Sequence, residues 1–471
     1  MILPLPAVSE QAQALPSIGG AGGGLLSSQQ ERQIRDQVMV ALRRNAPLLT
    51  DPLMMDYLEE TVYRMVPHVE LEDRELTIVI IDDPALNAFA VPGGLIGINA
   101  GLLLNAETEH QFASVVAHEI AHISQRHFAR RMEQQRQATP LTVAGIVAGI
   151  LLTAATGSEA GIAAIAGTQA LSVDAMLRHS RAHEQEADRV GMDLMTKAGF
   201  DPRGMPEMFE QMLRQARLQA SRPPEWLSTH PLTESRVSDT RSRARQYEER
   251  EFQENIEYRL MRARALIRFT ENKADAITRF RRQAESAEGS DLIVARYGLA
   301  HALYMDGKPE EAINILRELL EEEEGRITFV TGLGQALHSA DRTDEAIELL
   351  EQHADRHRGN LSLTRTLADV YMDANEPQRA ARLYERLTRT HGKDHTLWQD
   401  LADANGRAGR IIEVHRAHGE RDLLLGQPEA AARQFQQALD KAGAEHTRIE
   451  LLRERLEFAN ERRRQQRQVL R

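Results

Sequence analysis

Apolar side chains recur three and four positions apart in residues 28–45 and again in residues 51–66. This period is typical of helices that bury one face. Ser27 and Gln30 have the spacing of a capping box, which predicts that the first of these helices begins directly after Ser27. A helical pattern resumes in residues 106–137, so a third and longer helix is expected there.

Two short segments between these helices have the composition of strands. Residues 75–82 (ELTIVIID) are rich in β-branched side chains, and residues 95–99 (LIGIN) follow a turn at residues 92–94. We therefore expect an α+β domain, mainly α, with a small sheet ahead of the third helix. LIGIN is either a platform that binds an extended peptide by β-augmentation or an internal strand with both edges occupied.

The second half of the chain repeats with a period of 34 residues. A leucine followed directly by a small residue recurs every 34 positions. The pairs are Leu299-Ala300, Leu333-Gly334, Leu367-Ala368 and Leu401-Ala402. Such a period, with small residues where two helices cross, is typical of tetratricopeptide repeats. We expect three clear repeats and two irregular flanks, which is enough for an all-α solenoid with a continuous core.

These patterns divide the chain into a leader at residues 1–26, a first domain at 27–250 and a tetratricopeptide domain at 255–471. The leader contains Ala12-Gln13-Ala14, which has the form of a signal-peptide cleavage site. A charged start and a long apolar stretch are absent from it. The leader is therefore interpreted either as a truncated signal peptide with a flexible linker or as an Ala- and Gly-rich disordered leader.

Residues 141–173 are apolar and rich in Ala and Gly. Their longest apolar run, Leu141 to Ala155, is 15 residues, and a membrane span needs about 20. A helical hairpin is expected, and two interpretations stay open. The hairpin is either part of the core, or a lid or membrane-surface element beside the site.

Composition narrows the function classes. Aromatic residues make up 4% of the chain, which favours helices built on Ala and Leu over a β-sandwich. The formal net charge is -12, and nucleic-acid binding usually needs a basic surface, so no nucleic-acid partner is expected. The chain has no cysteine, which excludes disulfides, thiolate metal sites and a cysteine nucleophile.

The third predicted helix contains the sequence VVAHEIAHIS. His118 and His122 are four residues apart, so their imidazoles lie on one face of a helix and can approach one metal ion. Zn²⁺ binds neutral imidazole nitrogens, and Glu119 would lie beside the metal as a general base. The alternative is a pair of hydrogen-bonded core histidines, but the apolar flanks and the spacing favour a metal site.

A catalytic zinc site needs a third protein ligand. An HExxHxxGxxH site would place Gly at position 125 and His at 128, where Gln125 and Phe128 stand, and His127 would lie on the wrong helix face. No acidic residue occurs from 137 to 158. The next candidates are Glu159, Glu184 and Glu186.

Glu184 is the preferred third ligand. It lies in a predicted helix, residues 181–195, with Asp188 one turn away on the same face and Gly191 placed to allow close helix packing. Asp188 can hydrogen-bond an imidazole ligand or an oxyanion. Glu186 points away from Glu184 and is expected in solvent, and Glu159 lies in a Gly-rich turn. A surface charge stripe is the alternative for Glu184 and Asp188.

His230, in WLSTHPLTESR, is a further candidate. A loop histidine before proline can occupy the open position of a zinc site and silence it, as a fourth contact. It can also bind the oxyanion of a transition state, or cap a helix at residues 232–247.

The sequence HExxH at 118–122, followed after a long insert by ExxxD at 184–188, resembles the HtpX-type and CAAX-prenyl-protease gluzincins of metallopeptidase family 48. NAFAVPGG (87–94) and HEQEADRVG (183–191) resemble other hallmarks of that family. The resemblance implies a zincin-like metalloprotease domain that binds one Zn²⁺ per subunit through His118, His122 and Glu184. It also implies Glu119 as catalytic base.

The resemblance also implies that Asp188 is a proton donor or an orienting residue. Together with the tetratricopeptide repeats, the resemblance points to the periplasmic enzymes of that family. These would be zinc endopeptidases that degrade misfolded or stalled envelope proteins and assist outer-membrane protein assembly. Unfolded outer-membrane proteins are the implied substrates, and the β-barrel assembly machinery is the implied partner of the repeats.

The implied location is the periplasm, with peripheral association with the outer membrane. Two alternatives stay open at this point. The chain could act mainly as a tetratricopeptide chaperone or scaffold whose protease is rarely used. The same ligand set could also hold a divalent metal other than zinc.

Overall fold

The computed structural model describes residues 26–134, 180–218, 224–248, 251–443 and 447–469. Helices predominate in these ranges, and one small sheet lies near the start of the chain. The predicted α+β, mainly α class is thereby confirmed. Residues 1–25 of the leader and the apolar segment 141–173, which includes Glu159, lie outside the described residues. No helix in the described part of the chain is both long and apolar enough to cross a membrane.

The first domain contains nine helices and three strands among its described residues. In chain order they are α1 (Ser28–Asn45), α2 (Pro52–Met65), β1 (Thr77–Ile81), β2 (Ala88–Val91), β3 (Leu95–Asn99), α3 (Gly101–Asn105), α4 (Glu109–Ser124), α5 (His127–Gln134), α6 (Arg181–Lys197), α7 (Gly204–Leu218), α8 (Trp226–Thr229) and α9 (Glu234–Ala244). A 3-10 turn, Val66–His68, follows α2.

Both N-terminal helices begin where local capping predicts. Ser27 accepts a hydrogen bond from the backbone N–H of Gln30, whose side chain accepts one from the backbone N–H of Ser27, so the predicted capping box is present. Asp51 caps α2 by accepting from the N–H groups of Leu53 and Met54. These caps satisfy backbone donors that a helix otherwise leaves unpaired.

The sheet has the strand order β1-β3-β2. β3 pairs in parallel with β1 and antiparallel with β2, and every residue of β3 is buried. LIGIN is therefore the central strand, and its prediction as a platform for extended substrate is wrong because both its edges are occupied. β2, which the sequence pattern did not single out as a strand, forms one edge of the sheet instead.

The helix that contains VVAHEIAHIS is shorter than the predicted 106–137. α4 ends at Ser124, and Arg126 adopts a left-handed backbone conformation with φ of 50°. A non-glycine residue in this region breaks helical geometry. α5 then begins at His127 in a new direction, so helical periodicity cannot be extended across residues 125–126.

The described residues of the second domain form twelve consecutive helices. They are α10 (Ile256–Phe269), α11 (Lys273–Ser286), α12 (Gly289–Met305), α13 (Pro309–Glu322), α14 (Ile327–Ser339), α15 (Thr343–Arg356), α16 (Leu361–Asp373), α17 (Pro377–Thr390), α18 (His395–Arg407), α19 (Ile411–Leu424), α20 (Pro428–Lys441) and α21 (Ile449–Val469). The array is thus longer than the three clear repeats. α19 is the additional segment that interrupts the 34-residue register after Leu401.

The helical array packs back onto the first domain through polar contacts that are partly buried or exposed. The carboxylate of Asp56, in α2, accepts hydrogen bonds from the side-chain amide of Asn360 at 3.2 Å and the backbone N–H of Ser362 at 3.1 Å. The guanidinium of Arg43, in α1, donates to the carbonyl oxygens of Lys393 at 2.7 Å and Leu424 at 3.0 Å. These contacts hold the middle and late repeats against the first two helices.

Candidate metal centre

The two histidines of VVAHEIAHIS converge as their spacing predicts. α4 is capped by Thr108, whose hydroxyl accepts from the N–H of Gln111, and its apolar flanks bury the helix on all sides. The Nε2 atoms of His118 and His122 lie 3.0 Å apart, and both side chains are buried. Two imidazole nitrogens thus point at one location inside the protein.

α6 brings a carboxylate to the same location. The two carboxylate oxygens of Glu184 lie 3.5 Å from His118 Nε2 and 3.4 Å from His122 Nε2. The two helices approach closely because Gly191 faces the backbone of α4. A Cβ at this position would lie 3.2 Å from the backbone nitrogen of His118 and 3.3 Å from the carbonyl of Ala117.

The close approach at Gly191 gives a testable prediction. Gly191→Ala is expected to lower the free energy of unfolding by about 1 kcal/mol or more, because a methyl group against α4 backbone cannot be relieved by a rotamer change. The same change should weaken metal binding by displacing Glu184. Urea unfolding and zinc titration would measure both effects.

Gly332→Ala is a matched control in a helix of the array. There the added Cβ would meet only the side chain of Leu316, at 3.5 Å. Alanine is the better helix former by about 1 kcal/mol, so the control should be neutral or stabilising. Equal stabilisation by both substitutions would contradict the packing role of Gly191.

His230 completes a set of four side chains. Its Nδ1 lies 3.3 Å from His118 Nε2 and 3.1 Å from a carboxylate oxygen of Glu184. One ligand atom from each of His118, His122, Glu184 and His230 lies within 4.8 Å of all the others, and all four residues are buried. Among the described residues, no other group of His, Asp and Glu converges in this way.

Glu119 lies beside this set, and only one of its two carboxylate oxygens accepts a hydrogen bond from a described residue. Its Oε1 accepts a hydrogen bond from the indole N–H of Trp226 at 3.0 Å. Its Oε2 is buried and has no hydrogen-bond partner among the described residues. Since a buried carboxylate oxygen without a partner is costly, this atom is available for a proton-bearing group that enters the site.

Asp188 lies behind His118, on the side away from the convergence point. Its Oδ1 is 3.0 Å from His118 Nδ1, and both of its oxygens accept from Arg236 at 2.7 Å. Arg236 also contacts Glu184 at 2.7 Å. Arg236 and Trp226 both belong to the segment WLSTHPLTESR around His230, but no pattern in the sequence indicates that either is part of the site.

The charges of the centre compensate one another. Burial acts to raise the pKa of Glu184, but His230, His118 and His122 outweigh it and hold this pKa well below its usual range. Burial acts to lower the pKa of His118, but Asp188 and Glu184 raise it to about 9. The imidazole of His118 thus lies between two carboxylates, whose negative charge favours its protonated form.

One expectation about the neighbouring residues is wrong. Glu186 is not in solvent but half-buried, where it accepts from Arg130 at 2.8 Å and lies 3.2 Å from His127 Nε2. It is covered because α5 packs against this face of α6, which the periodicity of α6 alone does not indicate. His127 lies outside the converging set, as predicted, and its Nδ1 lies 2.8 Å from His122 Nδ1.

A cleft lies between the centre and the edge of the sheet. It is lined by the edge strand, by the corner between α4 and α5, and by the loop around His230, with Phe89, Ala90, Val91, His122, Phe128 and His230 among its lining residues. The cleft thus joins β2 to two of the four converging side chains.

Models of known protein families match two separate parts of the chain. Residues 52–244 match the model of peptidase family M48. Residues 297–360 and 337–404 each match a tetratricopeptide repeat model. The peptidase match includes all four residues of the centre, His118, His122, Glu184 and His230. The repeat matches begin C-terminal to the peptidase match.

Curated relatives are found in bacteria and in mitochondria. A putative β-barrel assembly-enhancing protease of Vibrio cholerae is 39% identical over 322 residues, and the β-barrel assembly-enhancing protease of Escherichia coli is 37% identical over 325. These matches cover 68% and 69% of this chain and 66% of each relative, slightly less than two thirds. The mitochondrial metalloendopeptidase OMA1 of Schizosaccharomyces pombe is 30% identical over 181 residues, or 38% of this chain and 50% of that protein.

The resemblance inferred from HExxH, ExxxD and the 34-residue repeat is thereby confirmed. The family model covers the domain with the converging histidines, and the bacterial relatives match beyond that domain into the repeats. The chain thus contains a peptidase family M48 domain, and tetratricopeptide repeats follow it along the sequence.

Proposed function

We propose that this protein is a zinc-dependent endopeptidase of the bacterial periplasm that degrades misfolded or stalled envelope proteins. The observation that supports this most directly is the convergence of His118, His122 and Glu184 beside the unpaired Oε2 of Glu119. Two imidazoles and one carboxylate are the protein ligands of many catalytic zinc sites. The family M48 domain supports a metal as the cofactor.

Two imidazole nitrogens and one carboxylate oxygen form a ligand set that suits zinc better than Mg²⁺ or Ca²⁺. Imidazole nitrogen suits Zn²⁺, whereas Mg²⁺ and Ca²⁺ prefer sites made of oxygen ligands alone. His118, His122 and Glu184 would hold the ion, one per subunit. When bound in such a site, zinc polarises the scissile carbonyl and increases the acidity of water.

Glu119 is the proposed general base. Its Oε1 accepts from Trp226 and lies 3.5 Å from His230 Nε2, and its Oε2 has no hydrogen-bond partner among the described residues. Oε2 would take a proton from the attacking water and pass it to the amine that leaves. General acid–base catalysis by a positioned carboxylate typically contributes 10²- to 10⁴-fold to a rate.

Asp188 is proposed as an orienting residue for His118 and not as a proton donor. Both of its oxygens are engaged by Arg236, and it lies on the opposite side of the imidazole from Glu184. A carboxylate behind a metal-binding histidine fixes the tautomer and the ring orientation.

The edge strand β2 is the proposed binding site for extended substrate. It lies at one side of the sheet and lines the cleft that leads to His122 and His230. An extended segment can add to such an edge through main-chain hydrogen bonds, with little demand on side-chain identity. This mode suits unfolded outer-membrane polypeptides, whose strands lack their partners.

His230 is proposed to occupy the fourth position of the zinc site and so to restrain activity. It lies within the set of converging ligands, but it comes from a short segment between α8 and α9 and not from α4 or α6, which supply the other three. A catalytic zinc site needs one position for water or substrate. Release of His230 would then open the site.

His230→Ala is expected to raise casein cleavage severalfold while about one zinc per chain remains bound. Three protein ligands remain, and the position for water becomes free. Initial rates and metal content of the purified variant would test this. Ser228→Ala is the matched control, because Ser228 is exposed on the same segment. Cleavage equal to that of the wild type would contradict the restraint.

The repeat array is proposed to bind the β-barrel assembly machinery, with peripheral association with the outer membrane. Two of the bacterial relatives are named as β-barrel assembly-enhancing proteases, and tetratricopeptide arrays present extended protein-binding surfaces. A second candidate function, a chaperone or scaffold with rare proteolysis, is favoured by the size of the array. No nucleic-acid partner is proposed.

The test of the proposed activity combines metal analysis with a cleavage assay. Purified protein should contain about one zinc per chain and cleave casein. A chelator should abolish cleavage, and added zinc should restore it. Cleavage that persists after complete removal of metal would contradict the proposal.

A further inference from the structure

His122 has a second buried contact on the side away from the proposed metal. Its Nε2 faces His118 and Glu184, whereas its Nδ1 lies 2.8 Å from His127 Nδ1. His127 is fully buried in the first turn of α5. The two rings meet nearly edge to face, with centroids 4.9 Å apart and planes at 75°.

This geometry determines where the protons lie when His122 Nε2 binds a metal. The remaining proton of the neutral His122 ring is then on Nδ1, so His127 Nδ1 must accept it. His127 therefore carries its own proton on Nε2, which lies 3.2 Å from the carboxylate of Glu186. Arg130 donates to the same Glu186 oxygen at 2.8 Å and fixes it.

We propose that His127 is a positioning residue for His122, and that it connects His122 to the carboxylate of Glu186. His122 and His118 would then have the same kind of support. His118 has Asp188 directly behind it, whereas the carboxylate behind His122 acts through one additional imidazole. Outer partners of this kind hold a histidine ligand in one tautomer, and their loss typically costs 10- to 100-fold in metal affinity.

A second metal ion is a weaker explanation of the same side chains. The ring of His183 stacks on that of His127 with centroids 4.5 Å apart and planes at 9°. Parallel stacked rings do not direct their nitrogens at one point. In the described ranges, the only convergent group is the one that contains His118, His122, Glu184 and His230.

The inference rests on the proposed metal site, and zinc affinity is its readout. His127→Leu removes the acceptor, and we expect it to weaken zinc binding 10- to 100-fold in competition with a chromophoric chelator. His127→Gln can accept from His122 and donate to Glu186, so it should recover most of that affinity. Visible spectra of the Co²⁺-loaded proteins should shift for the Leu variant and return toward the wild type for Gln.

His183→Phe is the matched control, since it keeps a ring against His127 and removes no contact to His122. It should bind zinc within about twofold of the wild type. If His127→Leu does not fold, the same comparison can be made with Glu186→Ala and Glu186→Gln in place of the two His127 variants. Gln keeps an acceptor for His127, so only Ala should lose affinity.

Equal zinc affinity for the Leu, Gln and wild-type proteins would overturn the positioning role while leaving the metal site intact. Equal losses in the Leu and Gln variants would overturn it as well, because the effect would then be structural. If the wild type itself bound no zinc, the proposed function would fail instead, and the two failures are distinguishable.

Discussion

Glu119→Gln is expected to lower casein cleavage by at least about 10²- to 10⁴-fold, with one zinc per chain retained. Glutamine has nearly the same shape, and its side-chain oxygen can still accept from Trp226 as Glu119 does. It cannot take a proton from water. Because Glu119 is not among the converging ligands, the metal site should keep its three protein contacts.

Glu107→Gln is the matched control for this change. Glu107 is an exposed acid just before α4, so its neutralisation should leave cleavage unchanged. Residual cleavage above about a tenth of the wild-type rate in Glu119→Gln would contradict the role of general base. Loss of zinc would show that Glu119 acts on the ligands and not on the substrate.

The same variant separates the two proposed functions in cells. An outer-membrane assembly defect that Glu119→Gln corrects as well as the wild type would belong to the repeat array. A defect that only the wild type corrects would require proteolysis. Both activities can coexist in one chain, because the proposed catalytic residues lie in the first domain and the array is a separate set of helices.

Arg236→Ala is expected to destabilise the metal-free protein by about 3–5 kcal/mol. Removal of one partner from a buried ionic network leaves an uncompensated charge. Here two carboxylates would be left, since Arg236 pairs with both oxygens of Asp188 and contacts Glu184. Urea unfolding of the chelator-treated protein would measure the loss.

Arg236→Lys and a double variant provide the controls. Lysine keeps the charge but not the planar pair of donors, so it should recover only part of the stability. Adding Asp188→Asn to Arg236→Ala should cost less than the sum of the two single changes, because the unpaired charge is removed. A loss below about 1 kcal/mol for Arg236→Ala would contradict this network.

The parts of the site that could be predicted from the sequence are those fixed by local geometry. His118 and His122 lie on one face because four residues make slightly more than one helical turn. Glu184, Asp188 and Gly191 share a face of α6 for the same reason. The helix caps at Ser27 and Asp51 also depend on a few neighbouring residues.

The parts that could not be predicted depend on chain direction and on distant contacts. Helix α4 ends before Arg126, whose backbone is left-handed, and α5 then places His127 against Nδ1 of His122, which no helical periodicity can indicate. Arg236 reaches Asp188 across 48 residues of sequence. The order of the three strands depends on packing of the whole domain, and for this reason LIGIN could not be identified as the central strand.

The central claim is that one divalent ion is held by His118, His122 and Glu184. Anomalous X-ray diffraction at the zinc edge, from crystals of the zinc-loaded protein, tests it most directly. We expect one peak about 2.0–2.2 Å from the Nε2 atoms of both histidines and from a carboxylate oxygen of Glu184. A strong peak elsewhere, with these three side chains hydrogen-bonded only to one another, would contradict the claim.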